Sequence, residues 1–150
     1  MATKVGFVGG GRMAEAMIRS LIAVKFCKPA EIVAYDVDEG RLTVLKGLGL
    51  TVAKSNTEAV TGAKLVVLAV KPGMIATVVK ELAPAITSQL IVSFAAGVPI
   101  MKIESLLPAG TKVIRVMPNI CCMVGRMAAG VAAGSAATKD DVAAVRKMLD

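Results

Sequence analysis

The chain has no histidine and no tryptophan, and only one tyrosine and three phenylalanines in 150 residues. Without histidine, a Ser-His-Asp triad or any other histidine acid or base is excluded. The three cysteines, Cys27, Cys121 and Cys122, are odd in number, and two of them are adjacent. They form neither a disulfide framework nor a C-x-x-C pattern. With histidine absent as well, no metal site is expected. Long apolar runs are missing too, so a membrane-spanning helix is not expected. The opening residues carry glycines and charges where a signal peptide needs an apolar centre. These absences point to a soluble, cytoplasmic protein. The net charge is +7, but the basic residues are scattered from Lys4 to Lys147, and aromatic stacking platforms are scarce. Nucleic acid is therefore not an expected partner. A diffuse positive field suits anionic cofactors and substrates instead.

What the chain does have is a run of three glycines in one place. The apolar run from Val5 to Val8 meets Gly9, Gly10 and Gly11, and a helix-compatible stretch begins near Arg12. Strand, glycine turn and helix in succession are the context of a dinucleotide phosphate site. Read as G-x-G-x-x-G/A, the pattern uses Gly9 for the tight turn, Gly11 for close approach to a pyrophosphate and Ala14 for close helix packing. The helix N-terminus adds N–H groups and a partial positive charge. A second apolar run, Ile32-Val33-Ala34-Tyr35, ends in Asp36, where an acidic residue would hold a ribose hydroxyl. Asp36 and Asp38 also suit the cap of a helix starting near Glu39. The two roles are compatible.

A length of 150 residues is one domain's worth. With 55% hydrophobic and 3% aromatic residues, its core must be aliphatic. Strands are expected over 5–8, 32–35, 51–53, 65–70, 90–93 and 112–117, with a further short strand at 130–133. Helices are expected near 13–24, 39–47, 74–82 and 99–107, with a short turn at 57–60 and an acid-started helix from Thr138 or Lys139. Such alternation predicts an α/β fold: a Rossmann-like, doubly wound, mostly parallel sheet with helices on both faces. The sequence stops at Asp150 without a C-cap signal, so a continuation is expected.

In such sheets ligands lie at the carboxyl ends of the strands. There stand the glycine turn, Asp36, Ser55-Asn56-Thr57, Lys71-Pro72, Phe94-Ala95-Ala96-Gly97 and Met117-Pro118-Asn119. Each residue has a plainer reading. Arg12, awkward at a helix start unless an anion is near, is either a phosphate contact or a solvated arginine. Asn56 is either a ligand contact or a cap. Lys71 either reaches a ligand or snorkels from a strand end, and Pro72 either lines the site or starts the next helix. Ala95 to Gly97 form either a tight loop or the small-residue bed of a flat ring. The nine methionines are read as core filler.

Taken together, VGFVGGGRMAEAMIRSLI, SNTEAV, LVVLAVKPG, IVSFAAGVPI and KVIRVMPNI resemble, in order and spacing, the pyrroline-5-carboxylate reductases. The resemblance covers essentially the whole chain and corresponds to the cofactor half of that family. It implies NADPH- or NADH-dependent reduction of 1-pyrroline-5-carboxylate to L-proline in proline biosynthesis. By position it implies that Val8, Gly9, Gly10, Gly11, Arg12 and Met13 bind the pyrophosphate and that Asp36 faces the adenosine ribose. Asn56 would lie on the adenine side, and Ala69, Val70, Lys71 and Pro72 beside the nicotinamide half. Ala95, Ala96 and Gly97 would surround the ring, and Met117, Pro118 and Asn119 would border the substrate pocket. No residue of this chain is assigned a catalytic role.

Two departures stand out: Arg12 replaces the family's usual Asn or Gln, and Ile120-Cys121 replaces its Thr-Pro. The resemblance further implies that residues 1–150 lead into a C-terminal helical domain, absent here, that dimerises and completes the substrate site. The chain alone is then expected to bind cofactor and to turn over poorly or not at all. Asp36 favours NADH, whereas Arg41 would favour NADPH if it folded over a 2′-phosphate. Two other readings are a different imine or β-hydroxyacid reductase and a non-catalytic dinucleotide-binding module.

Overall fold

The computed structural model describes residues 4–118 and 129–149. Asn119, Ile120, Cys121 and Cys122 lie outside the described residues. In chain order the elements are β1 (Val5–Val8), α1 (Arg12–Ala23), β2 (Ile32–Tyr35), α2 (Glu39–Gly47), β3 (Thr51–Val52) and α3 (Asn56–Val60). There follow β4 (Leu65–Leu68), α4 (Ile75–Leu82), β5 (Leu90–Ser93), α5 (Ile100–Leu106), β6 (Lys112–Pro118), β7 (Ala129–Ala133) and α6 (Lys139–Leu149). Short 3-10 turns precede β2 and α4 and follow α4.

The strands form one seven-stranded sheet in the order β3-β2-β1-β4-β5-β6-β7. Every pairing is parallel except β6 with β7. The chain winds outward from β1 to β2 and β3, then crosses to β4 on the other side of β1. This reversal makes the carboxyl end of β1 a topological switch point, where ligands settle in open α/β sheets. The doubly wound expectation is met, and the short strand expected at 130–133 is the antiparallel edge strand.

Burial explains why these segments take these forms. β1, β4 and β5 are buried at every position, as central strands covered on both faces must be. α1 buries Ala14, Met17, Ile18 and Leu21, a stripe at helical spacing. One face of the sheet packs against α1, α2 and α6 through Phe7, Met17, Leu45, Val145 and Met148. The other packs against α3, α4 and α5 through Val60, Val66, Val79, Ile91 and Ile103. α3 lies so close to β1 that a Cβ on Gly6 would meet the Ala59 carbonyl oxygen within 2.3 Å.

The strand expected at 65–70 ends at Leu68. Ala69 still donates its N–H to the Val8 carbonyl at 2.8 Å, but the chain then peels away into the turn that Pro72 begins. At the amino end of α6, Thr138 and Asp141 cap each other: the Asp141 carboxylate accepts from the Thr138 N–H and hydroxyl, each at 2.8 Å, and Lys112 lies 3.3 Å away. Burial raises the Asp141 pKa, but Thr138 and Lys112 outweigh it and hold the carboxyl below its ordinary value. Among the described residues no helix is long and apolar enough to cross a membrane.

Candidate functional site

The site begins where β1 runs out. Gly9 donates its N–H to the Tyr35 carbonyl at 2.9 Å, and its φ of +97° lies in the left-handed region. A Cβ there would sit 2.6 Å from the Ala69 carbonyl oxygen, so glycine is required on two counts. Gly10, the unassigned middle position of the motif, is also constrained. A Cβ on it would lie 2.5 Å from Leu45 Cδ1 and 3.3 Å from Asp36 Cβ, because α2 packs against the turn. Gly11 differs from both: a Cβ on it would meet nothing within 4 Å. Its φ of −71° suits any residue. The fold therefore does not need glycine at 11, and a cradle that an added side chain would fill is what a closely approaching phosphate requires.

α1 starts at Arg12 with no side chain capping it, so the helix end is turned to the same space. An uncapped helix N-terminus suits an anion. Arg12 is exposed. Arg12, Glu15, Ala16, Arg19 and Arg41 line a depression of about 270 Å³ beside it.

Asp36 is fixed in place. One carboxylate oxygen accepts from the Gly10 N–H at 2.7 Å, and the other accepts from the Asp38 N–H at 2.8 Å. Each oxygen retains a second lone pair, so the carboxylate can still accept from ribose hydroxyls. Asp38 is the cap of α2, accepting from the N–H groups of Gly40 and Arg41 at 2.8 and 3.3 Å. Asp38 thus takes the cap alone, and Asp36 is held by the turn instead. Arg41 does not lean over Asp36. Its Nε donates to the Gly10 carbonyl at 2.8 Å, and its Nη2 donates to Glu15 at 2.7 Å. Glu15 is held from the other side by Arg19 at 2.8 Å. Arg41, followed by Arg19, lowers the Glu15 pKa below the ordinary carboxylate value.

Sequence reasoning missed the contact from Arg41 to Gly10 and Glu15, although a clue was present. Arg41 stands in the first turn of a helix, where a cation opposes the helix dipole and needs another reason to be there. Arg12, at the start of α1, stands in the same position toward its helix dipole.

The remaining candidates lie along the same rim. Asn56 is not the cap of α3: Ser55 is, accepting from the Glu58 N–H at 3.1 Å. The Asn56 amide instead leans toward Glu81 of α4 at 3.4 Å. Ala69 and Val70 are partly buried, Lys71 is exposed, and Pro72 opens the 3-10 turn ahead of α4. After β5, Ala95 is buried and donates its N–H to the buried Ser93 hydroxyl at 3.3 Å. Ala96 and Gly97 are exposed, with Gly97 at a φ of +71°.

At the end of β6, Met117 is 44% exposed. Pro118 is the last residue of the strand. Arg115, paired with Ser93 in the next strand, extends along β6 to lie 3.4 Å from the Met117 sulfur. Its buried Nε has no hydrogen-bond partner among the described residues. Val8, Gly9, Gly10, Gly11, Arg12, Met13 and Asp36 thus cluster around one turn. The candidates from Ala69 to Pro72, from Ala95 to Gly97, and Met117 extend along the rim beyond it.

Comparison with known proteins gives a consistent pattern. The family described as NADP oxidoreductase, coenzyme F420-dependent, matches residues 4–97. Pyrroline-5-carboxylate reductase 3 of Mus musculus is 38% identical over 148 residues, covering 98% of this chain and 54% of its own length. The pyrroline-5-carboxylate reductase of Methanosarcina acetivorans is 41% identical, with 97% of this chain and 55% of that protein covered. The chain spans about half the length of the curated relatives it matches. Among solved structures, a pyrroline-5-carboxylate reductase from Coxiella burnetii superposes with a TM-score of 0.92 at 30% identity, over 99% of this chain and 56% of the other. A pyrroline carboxylate reductase of Plasmodium falciparum, solved with NADP bound, gives 0.87 at 26% identity, over 98% and 54%.

Proposed function

The chain belongs to the NADP oxidoreductase family described as coenzyme F420-dependent, and from that premise we propose that it is the nicotinamide-binding part of a 1-pyrroline-5-carboxylate reductase that forms L-proline. The observation that carries this reading is the open face of Gly11 beside an uncapped helix, joined to similarity with such reductases along nearly the whole chain. Val8, Gly9, Gly10, Gly11, Arg12 and Met13 hold the pyrophosphate, with backbone N–H groups and the Arg12 charge as partners. Asp36 accepts from the adenosine ribose, and Asn56 borders the adenine side. Ala69, Val70, Lys71 and Pro72 flank the nicotinamide half, while the small side chains of Ala95, Ala96 and Gly97 leave room for the ring. Met117 and Pro118, at the end of β6, border the substrate.

When bound, the reduced nicotinamide supplies a hydride to the imine carbon while the imine nitrogen takes a proton. This chain orients and shields the donor. No described residue of it is assigned as the source of the proton, which in this reading comes from the part of the relatives that the chain does not span. In this reading, residues 1–150 are the dinucleotide-binding domain, and dimerisation belongs to the other half. In this reading the reaction takes place in the cytoplasm.

Asp36 sets the choice of dinucleotide toward NADH. A 2′-phosphate brings close to two negative charges toward a carboxylate. Arg41 is engaged elsewhere, and the neighbouring Val37, 86% exposed, supplies no cation. Fluorescence titration of this chain is expected to give tighter binding of NADH than of NADPH, on the order of tenfold or about 1.4 kcal/mol. Asp36→Ser is expected to narrow that gap. Failure of the chain to bind either dinucleotide would sink the reading. So would failure of the longer protein to oxidise NADH or NADPH when given 1-pyrroline-5-carboxylate.

A further inference from the structure

We propose that Arg41 is a positioning residue that sets the direction of the peptide joining Gly10 to Gly11, and so aims the Gly11 N–H at the dinucleotide phosphates. Steric hindrance leaves the direction of this peptide undecided. Flipping a peptide changes ψ of the residue before it and φ of the residue after it. When both are glycine, no Cβ opposes the change. The peptide between Gly10 and Gly11 is therefore one whose direction must be held by hydrogen bonds.

Arg41 Nε supplies the hold, donating to the Gly10 carbonyl oxygen at 2.8 Å. In a trans peptide the carbonyl and the following N–H point in opposite directions. No cis bond occurs in the described chain. With its oxygen drawn toward α2, this peptide turns the Gly11 N–H away from α2. On its other side, Gly10 is fixed by the 2.7 Å bond from its N–H to Asp36.

The arginine is itself held. Its backbone N–H donates to the Asp38 cap, and Nη2 meets Glu15 of α1 at 2.7 Å. Glu15 is gripped in turn by Arg19 at 2.8 Å. Arg41 thus bridges α2, the turn and the first turn of α1. A flipped peptide would present the Gly10 carbonyl oxygen to the phosphates, like charge facing like. The arginine raises the fraction of molecules already competent to bind, and apparent affinity scales with that fraction.

This inference rests on reading the turn as a dinucleotide site, and its test separates the two. Arg41→Met is expected to weaken NADH and NADPH by the same factor, on the order of tenfold, through the lower competent fraction. The melting temperature should change little. In the ligand-free chain, the amide NMR resonances of Gly10 and Gly11 should move. Arg41→Lys keeps the charge but loses the planar fork. It should weaken both dinucleotides alike by a smaller factor, and it serves in place of the methionine variant if that one does not fold. Selective loss of NADPH would overturn the proposal by making Arg41 a 2′-phosphate contact. Unchanged affinity for both, or unmoved Gly10 and Gly11 resonances, would overturn it too. If the unaltered chain binds neither dinucleotide while the resonances still move, the site reading falls and the hold on the peptide stands.

Discussion

On the β1–β2 side of the carboxyl rim, Gly10, Asp36, Arg41 and Glu15 form a connected set of hydrogen bonds, each between 2.7 and 2.8 Å. On the β4–β6 side there is no comparable set among the described residues. Lys71, Ala96 and Gly97 are exposed, and Met74, Met101 and Met117 are 50%, 81% and 44% exposed. The Arg115 Nε is buried without a partner there. The first side is organised by its own side chains before any ligand arrives, so binding has little ordering left to impose. The second is shaped by small residues and backbone, with flexible thioethers at its border. One half of the rim is held by side-chain hydrogen bonds; the other is lined by small residues and exposed methionines.

The largest test of this contrast is Gly11→Val. A charge-assisted hydrogen bond is worth roughly 1.5–3 kcal/mol, and a side chain in the phosphate space displaces more than one of them. Dinucleotide affinity in a fluorescence titration should therefore fall about 100-fold or more. The unfolding midpoint should hardly move, since nothing in the fold occupies that space. A large loss of stability would show that the turn itself needs the glycine. Undiminished affinity would show that the pyrophosphate lies elsewhere.

A smaller effect comes from Glu15, whose carboxyl lies below its ordinary pKa because Arg41 and then Arg19 bond to it. A depressed folded-state pKa means that the unfolded chain takes up its proton first as the pH falls. The contribution to stability is then fully present above the ordinary carboxylate range and is lost as the pH falls through the depressed folded value. Urea unfolding of the parent chain across that range should show a steeper acid decline than Glu15→Gln. The decline due to Asp141, at the far cap of α6, should remain in both. Parallel acid profiles would mean that the Glu15 bridge adds nothing to the preorganised side.

Most of this architecture was legible because it follows from local pattern. The apolar runs at β1, β2 and β5 and the stripe of Ala14, Met17, Ile18 and Leu21 determine their elements with little help from the rest of the chain. The strand ends and the glycine turn followed from winding rules. The hidden part depends on contacts between residues distant in sequence. Gly10 looks like a spacer until Leu45, 35 positions later, is packed on it. Arg41 looks like a cofactor contact until Glu15 and the Gly10 carbonyl claim it. Asn56 and Ser55 are both good caps by type, and only backbone geometry selects the serine. The glycine turn was readable from local pattern; the side chains that hold it, Asp36 and Arg41, were not.

The smallest expected effect lies on the other side of the rim. Arg115 extends along β6 with Nη2 against the Met117 sulfur and with Nε buried and without a partner among the described residues. A buried donor without an acceptor costs roughly 1–3 kcal/mol, so removing it recovers what the lost packing of the guanidinium gives up. Arg115→Met, which keeps an unbranched chain of similar reach, should shift the urea unfolding free energy of this chain by no more than about 0.5 kcal/mol, or should stabilise it. A loss above about 1.5 kcal/mol would show that the guanidinium is bonded within the chain, and the two sides of the rim would then be alike. Near-neutrality, set beside the acid sensitivity of the Glu15 bridge, would mean that the chain satisfies its polar groups on the β1–β2 side of the rim and leaves a donor open on the β4–β6 side.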